Sequence, residues 1–211
     1  DMLFHDTVPL GSGLSSSAAI EMATAITLVT LGNEAHGITA PVDLVQLAVI
    51  GRRTEHNYCG VNCGIMDQFA SAMGKKGHAM LLDCGTLKYK YTPLKLEGYK
   101  IVLANTKNKR GLGESKYNDR VKETSEGFAI LKRYMPDKVH LCDITTEEFE
   151  RHKDKIADDT VRKRVEHVIY ENARVLKSFD LLEKGDLKGF GKLLAEAHAS
   201  IRDLYEVTGF E

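Results

Sequence analysis

Val8-Pro9-Leu10-Gly11-Ser12-Gly13-Leu14-Ser15-Ser16-Ser17-Ala18-Ala19 decides how this chain is to be read. Two glycines stand two apart, three serines follow, and an apolar run opens behind them. Ala18, Met22, Ile26 and Val29 recur at helical spacing, with Ala19 and Ala23 beside them. The pattern predicts a helix from about Ser15 to Leu31, stopped at Gly32-Asn33 and capped by the serines. Gly11 and Gly13 lack Cβ, so the loop can take positive φ and admit a ligand close to its backbone. A glycine loop that feeds a helix N-terminus gathers unpaired N–H groups and the positive dipole end at one spot, which suits an anion and most often a phosphate. A serine-capped turn before a core helix is the other reading of the same residues. Two sharper motifs are excluded. A P-loop needs Gly-Lys before Ser or Thr, and no lysine occurs between Asp1 and Leu31. A nucleophile elbow needs glycine where Ser17 stands.

The second unusual stretch is Cys59-Gly60-Val61-Asn62-Cys63-Gly64-Ile65-Met66-Asp67-Gln68-Phe69-Ala70-Ser71. Asp67 is flanked by apolar residues. That context predicts partial burial against a donor or cation, or else a helix N-cap. Upstream, Thr39-Ala40-Pro41 reads as a helix start with proline in the first turn. Leu44, Leu47, Ala48 and Gly51 share one face, and the helix runs past Arg52-Arg53 to Glu55. Taken alone, Glu55 reads as a solvated surface carboxylate.

These stretches together resemble the GHMP small-molecule kinases. Pro9-x-Gly11-x-Gly13-Leu14-Ser15-Ser16-Ser17-Ala18-Ala19 is similar to that family's second motif, and the triple serine is similar to its galactokinase branch. The resemblance implies that Gly11, Ser12, Gly13, Leu14, Ser15, Ser16 and Ser17 wrap the phosphates of ATP, and that Ser17 coordinates Mg2+. Cys63-Gly64-x-Met66-Asp67-Gln68 resembles the segment that carries the branch's catalytic acid/base aspartate, here Asp67, facing the sugar. The branch places a magnesium-binding glutamate twelve residues earlier, and Glu55 stands there. Ser115-Lys116-Tyr117-Asn118-x-Arg120 resembles a segment whose tyrosine contacts the sugar, so Tyr117 joins Asp67 as a candidate galactose ligand. The tail around Gly185-Asp186-Leu187 and Arg202-Asp203-x-Tyr205-Glu206-Val207-Thr208-Gly209 also resembles this branch.

The bulk numbers are those of an ordinary globular protein: 211 residues, 43% hydrophobic and 28% charged. A formal net charge of −1 offers no basic field for nucleic acid or an anionic membrane, and no apolar run is long enough to span a bilayer. Cys59, Cys63, Cys84 and Cys142 fit neither a disulfide framework nor paired zinc spacing, and free thiols in a reducing cytoplasm are the expectation.

Elsewhere the pattern predicts a short strand at Met2-Leu3-Phe4, a buried strand at Gly77–Asp83 and a half-buried one over Lys88–Leu94. An apolar strand follows over Tyr99–Thr106, then a basic loop at Lys107–Arg110. Ser115 is expected to cap a helix that ends at Met135-Pro136. From Asp143 onward the chain reads as helical, with long apolar faces over Val161–Leu182 and Leu187–Ile201, and His198 is expected as a structural histidine near the last of these.

The expected class is α/β (α+β) of the GHMP kinase type: a mixed sheet with helices in two parts. The N-terminal part spans residues 1–97 and the C-terminal part 98–211. The resemblance implies ATP-dependent phosphorylation of galactose with Mg2+ in the cytoplasm, with no nucleic-acid or membrane partner. Neither the family's upstream Gly-Glu-His-x-Asp motif nor its C-terminal glycine-rich motif occurs in the sequence. The expectation is therefore an internal stretch, truncated at both ends, that turns over little by itself and self-associates. Two rivals are a kinase for N-acetylgalactosamine and a galactokinase-like sugar and ATP sensor without turnover. Intact Ser17-Ala18 and Asp67 favour the enzyme.

Overall fold

The computed structural model describes residues 1–61, 63–105 and 117–209. Two compact units emerge, one built from Asp1–Tyr91 with Glu97–Leu112, the other from Thr92–Leu96 with Gly113–Glu211.

The first unit is organised around α1, Ser16–Ala35. Ala18 and Met22 are its buried residues. Helix α1 runs through Gly32-Asn33 and ends at His36, past the expected stop, because Gly37 (φ +64°) is the residue that supplies the left-handed turn. Helix α2, Leu44–Thr54, starts three residues beyond Pro41. The Asp43 carboxylate caps it by accepting from the Gln46 N–H at 3.0 Å, which a proline cannot match at this position. A single π-helical turn, Glu55–Cys59, extends it. Helix α3, Met66–Met73, packs on both α1 and α2. Met22, Leu47, Ala48, Ile65 and Phe69 form the core between them.

Strands β1 (His78–Leu82) and β2 (Tyr89–Pro93) pair as a hairpin. Its turn is held by Asp83, whose carboxylate accepts from the backbone N–H of Gly85 and Thr86. Phe69 meets the Tyr89 ring edge-on at 5.3 Å, which ties the hairpin to the helical core. Strand β1 is half-buried along its length rather than buried.

Two expected strands do not form. Met2-Leu3-Phe4 and the described part of Tyr99–Thr106 carry the right residue types, yet neither forms a strand of the described sheet. Leu3, Val102 and Leu103 are 99%, 83% and 69% exposed, so burial does not reward an extended conformation there. The basic loop at Lys107–Arg110 and the Ser115 cap lie outside the described residues.

The second unit is helical. Helices α4 (Tyr117–Lys132), α5 (Thr146–His152) and α6 (Asp159–Glu183) surround a core of Leu131, Met135, Ile144, Phe149, Ile156, Val161, Val165 and Ile169. Helix α5 starts in a reciprocal capping box between Thr145 and Glu148. Asp186 ends the preceding turn and caps α7, Leu187–Ser200. A second π-helical turn, Ile201–Tyr205, follows directly. His198 is exposed, and the buried histidine is His167 on α6. The helical periodicity of α7 points residue 198 outward because Leu193 and Ser200 are the ones turned inward.

Candidate functional site

The loop before α1 is built from alternating left-handed residues. Gly11, Gly13 and Ser15 have φ of +66°, +75° and +58°. Glycine takes this conformation freely, whereas serine does so at a cost of roughly 1–2 kcal/mol. Ser12 Oγ donates to the Pro9 carbonyl at 2.6 Å and pins the turn.

Ser15 occupies the N-cap position but makes no side-chain capping bond, contrary to the expectation from sequence. Its left-handed backbone (φ 58°, ψ 42°) departs from the extended conformation in which a capping hydroxyl reaches back to the first turn. No acidic side chain stands in that first turn either. The N–H groups opening α1 are thus left uncapped by side chains, at the positive end of a 20-residue helix. Alternation of left-handed and ordinary residues turns backbone N–H groups into an anion-binding concavity. The described geometry therefore suits a phosphate better than it suits a closed turn.

Ser17 is exposed on the first turn of α1. Four residues on, on the same face, comes Glu21. Glu21 is half-buried, and burial pushes its carboxyl above the usual range. The hydrogen bond from Gln68 counteracts this, while the neighbouring Glu55 carboxyl adds to the rise. Glu55 opens the π-helical turn after α2 and is 8% exposed, so it is not the solvated surface carboxylate that its position in the sequence suggests when taken alone. The turn that holds it is locked by the Val61 N–H bonding the Glu55 carbonyl at 3.1 Å, and by His56 Nε2 meeting the Cys63 carbonyl at 2.8 Å. Cys59 and Cys63 flank this carboxyl, and desolvation first, then Glu55, raises both thiols.

Asp67 lies in the first turn of α3 with its side chain exposed. It is neither partly buried nor the N-cap, a position that Ile65 holds. Helical periodicity is the reason: Ile65, Gln68 and Phe69 face the core, so Met66 and Asp67 face out. An exposed carboxylate beside buried α1 and α2 contacts is accessible to a ligand. Tyr117 is the first residue of α4, in the second unit, and its side chain lies outside the described residues.

Among the described residues no group of three or more His, Cys, Asp or Glu side chains could hold a metal ion. The candidate oxygen donors are the exposed Ser17 hydroxyl in the first turn of α1 and the buried Glu55 carboxylate after α2, whereas the Glu21 carboxylate is engaged by Gln68. Ser17 and Glu55 both offer oxygen, the ligand chemistry that suits a hard cation such as Mg2+ rather than a soft one. Sequence reasoning singled out Ser17, Glu55 and Asp67. It missed Glu21 and Gln68, although Gln68 stands at the position of a buried residue, three after Ile65 and next to Phe69.

Comparison with known proteins adds three findings. Residues 1–75 match the GHMP kinases N terminal domain. The chain is 47% identical over 211 residues to the galactokinase of Clostridium tetani and 40% identical over 208 residues to that of Bacillus subtilis. It spans about half the length of these relatives, 52% in each case. Among solved structures, that of Lactococcus lactis galactokinase complexed with galactose matches with a TM-score of 0.85 and 42% identity, covering 96% of this chain and 50% of that one. No helix among the described residues is long and apolar enough to cross a membrane.

Proposed function

We propose that this chain, similar to galactokinases along its whole length and to the GHMP kinases N terminal domain over residues 1–75, carries the phosphate loop, the cation ligands and the proton acceptor of a galactokinase. The reaction is ATP + galactose giving galactose 1-phosphate + ADP. Loop geometry is the observation that carries the reading: Gly11, Gly13 and Ser15 in left-handed conformations before an uncapped helix N-terminus.

In this reading the N–H groups from Gly11 to Ser17 bind the phosphates of ATP. Ser12, Leu14 and Ser16 contribute through their backbone as the loop turns around the anion. The Ser17 hydroxyl and the Glu55 carboxylate hold Mg2+. When bound, the cation neutralises charge on the phosphate oxygens. Asp67 accepts the proton of the anomeric hydroxyl, or orients that hydroxyl, as its oxygen bonds to the γ-phosphorus and ADP leaves. Tyr117 helps to fix the sugar. Phosphoryl transfer depends on positioning and charge stabilisation more than on covalent help. A loop pinned by the Ser12 hydroxyl and a carboxylate set on a packed helix are suited to it.

The test is ADP release by the natural protein carrying this sequence, measured with galactose, with N-acetylgalactosamine and with no sugar. Galactose-dependent turnover is expected, falling by roughly 10²-fold or more in Asp67→Asn. Turnover with N-acetylgalactosamine alone would assign a different substrate. Saturable binding of galactose and ATP with no turnover would replace the enzyme reading by a sensor.

A further inference from the structure

Gln68 directly follows the proposed proton acceptor, and its side chain goes the opposite way. It is 2% exposed, whereas Asp67 is exposed. Its Nε2 donates to Glu21 Oε2 at 3.3 Å, joining α3 to α1 across 47 positions of sequence. Its Oε1 has no hydrogen-bond partner among the described residues. An amide buried with one end unsatisfied costs free energy that a methionine of similar length would not. Packing alone therefore gives no reason for glutamine at this position.

The location supplies a reason. Glu21 stands one helical turn after Ser17 on α1 and neighbours Glu55. The backbone of α2 presses on the same spot. A Cβ placed on Gly51 would lie 3.1 Å from Gln68 Cγ and 3.2 Å from Glu21 Oε2. The helices that carry Ser17, Glu55 and Asp67 thus meet at this one amide–carboxylate contact.

We propose that the Gln68–Glu21 hydrogen bond is a positioning strut, which sets the α3 helix bearing Asp67 against the phosphate loop on α1 and Glu55 after α2. The inference rests on the kinase reading above. Neither residue is required to touch substrate. Its effect follows from the steepness with which transfer rates depend on alignment, where a misplacement of about 1 Å costs on the order of 10²-fold.

The test uses kcat and KM of the natural protein. Gln68→Met keeps length and burial but cannot bond. It should lower kcat about 10-fold or more while KM for galactose and for ATP stays within about 3-fold. Glu21→Leu reads the same bond from its less buried side and should reproduce that split. Glu21→Gln restores an acceptor and should recover most of the rate lost in Glu21→Leu. A folded Gln68→Met variant with wild-type kcat would overturn the strut. So would a Glu21→Gln variant as slow as Glu21→Leu, since the carboxylate itself would then be what matters. Should Gln68→Met unfold, the Glu21 pair decides alone. A wild-type protein with no galactose-dependent turnover would instead remove the kinase reading, which keeps the two failures separate.

Discussion

Gly51 shows how much one residue can settle. It lies inside α2, where glycine costs about 1 kcal/mol relative to alanine. An added Cβ would come within 2.5 Å of Met22 Cε, besides its close approach to Gln68 and Glu21. The methionine methyl can swing aside, but Gln68 Cγ belongs to a side chain enclosed on all sides. Overpacking of this kind costs about 1–3 kcal/mol and outweighs the helix-propensity gain. Gly51→Ala should therefore lower stability by about 1 kcal/mol, read as a lower urea midpoint at unchanged slope. The site was partly legible at this scale. Glu55 is singled out only by the resemblance, which implies a glutamate twelve residues before the aspartate, since nothing local separates it from any helix-end glutamate. Asp67 was misjudged by a flanking rule, its apolar neighbours in sequence. The 3.6-residue period would have turned it outward and Gln68 inward. Glu21 carried no signal in sequence, because its burial is made by α2 and α3.

At the scale of elements, helices were read well and strands less so, for one reason. A helix satisfies its own backbone, so α1, α6 and α7 announce themselves through periodicity and caps. A strand needs a neighbouring strand, and neither Met2–Phe4 nor Tyr99–Ala104 belongs to the described sheet. The π-helical turns were not foreseen either, and the one at Ile201–Tyr205 is held by long-range contacts. Arg120 Nε donates to the Tyr205 carbonyl at 2.5 Å. Arg164 bonds the Leu204 carbonyl, and pairs with Glu206 at 2.8 Å and Glu123 at 3.1 Å. His167 bonds Ser200 Oγ at 2.9 Å and stacks on Tyr205 at 4.4 Å. Burial pushes this imidazole below its ordinary value; Glu171 opposes the shift, while Arg174 and Arg164 add to it. A base whose folded pKa lies below its unfolded value stabilises fully above about pH 6.5 and loses that contribution as pH falls through the folded value. The urea midpoint should thus drop more steeply below about pH 6.5 in the wild type than in His167→Gln. Parallel curves would show that the ring does not titrate against the fold.

For the molecule as a whole, the controlling quantities are exposed apolar surface and net charge. Ile20, Leu28 and Leu31 lie 48%, 57% and 55% exposed on α1, away from the face that carries Ala18 and Met22. Leu3, Ile101, Val102 and Leu103 are exposed as well. Apolar side chains grouped in this way favour association. Charge does little to oppose it at neutral pH, where the formal net charge is −1 and the isoelectric point about 6.8. The 211-residue chain, prepared alone, should therefore self-associate near pH 7, with light-scattering mass rising with protein concentration. Raising the pH to about 9 takes the chain well above its isoelectric point, adds net negative charge and should shift the equilibrium toward monomer. Excluded salts such as sulfate should shift it back, because they strengthen apolar burial. Ile20, Leu28 and Leu31 replaced together by glutamine or lysine would separate the two causes. If α1 supplies the contact, the variant stays monomeric at pH 7 without any change of pH. If its mass tracks that of the wild type, the contact is made elsewhere, and the exposed run around Val102 becomes the next surface to change.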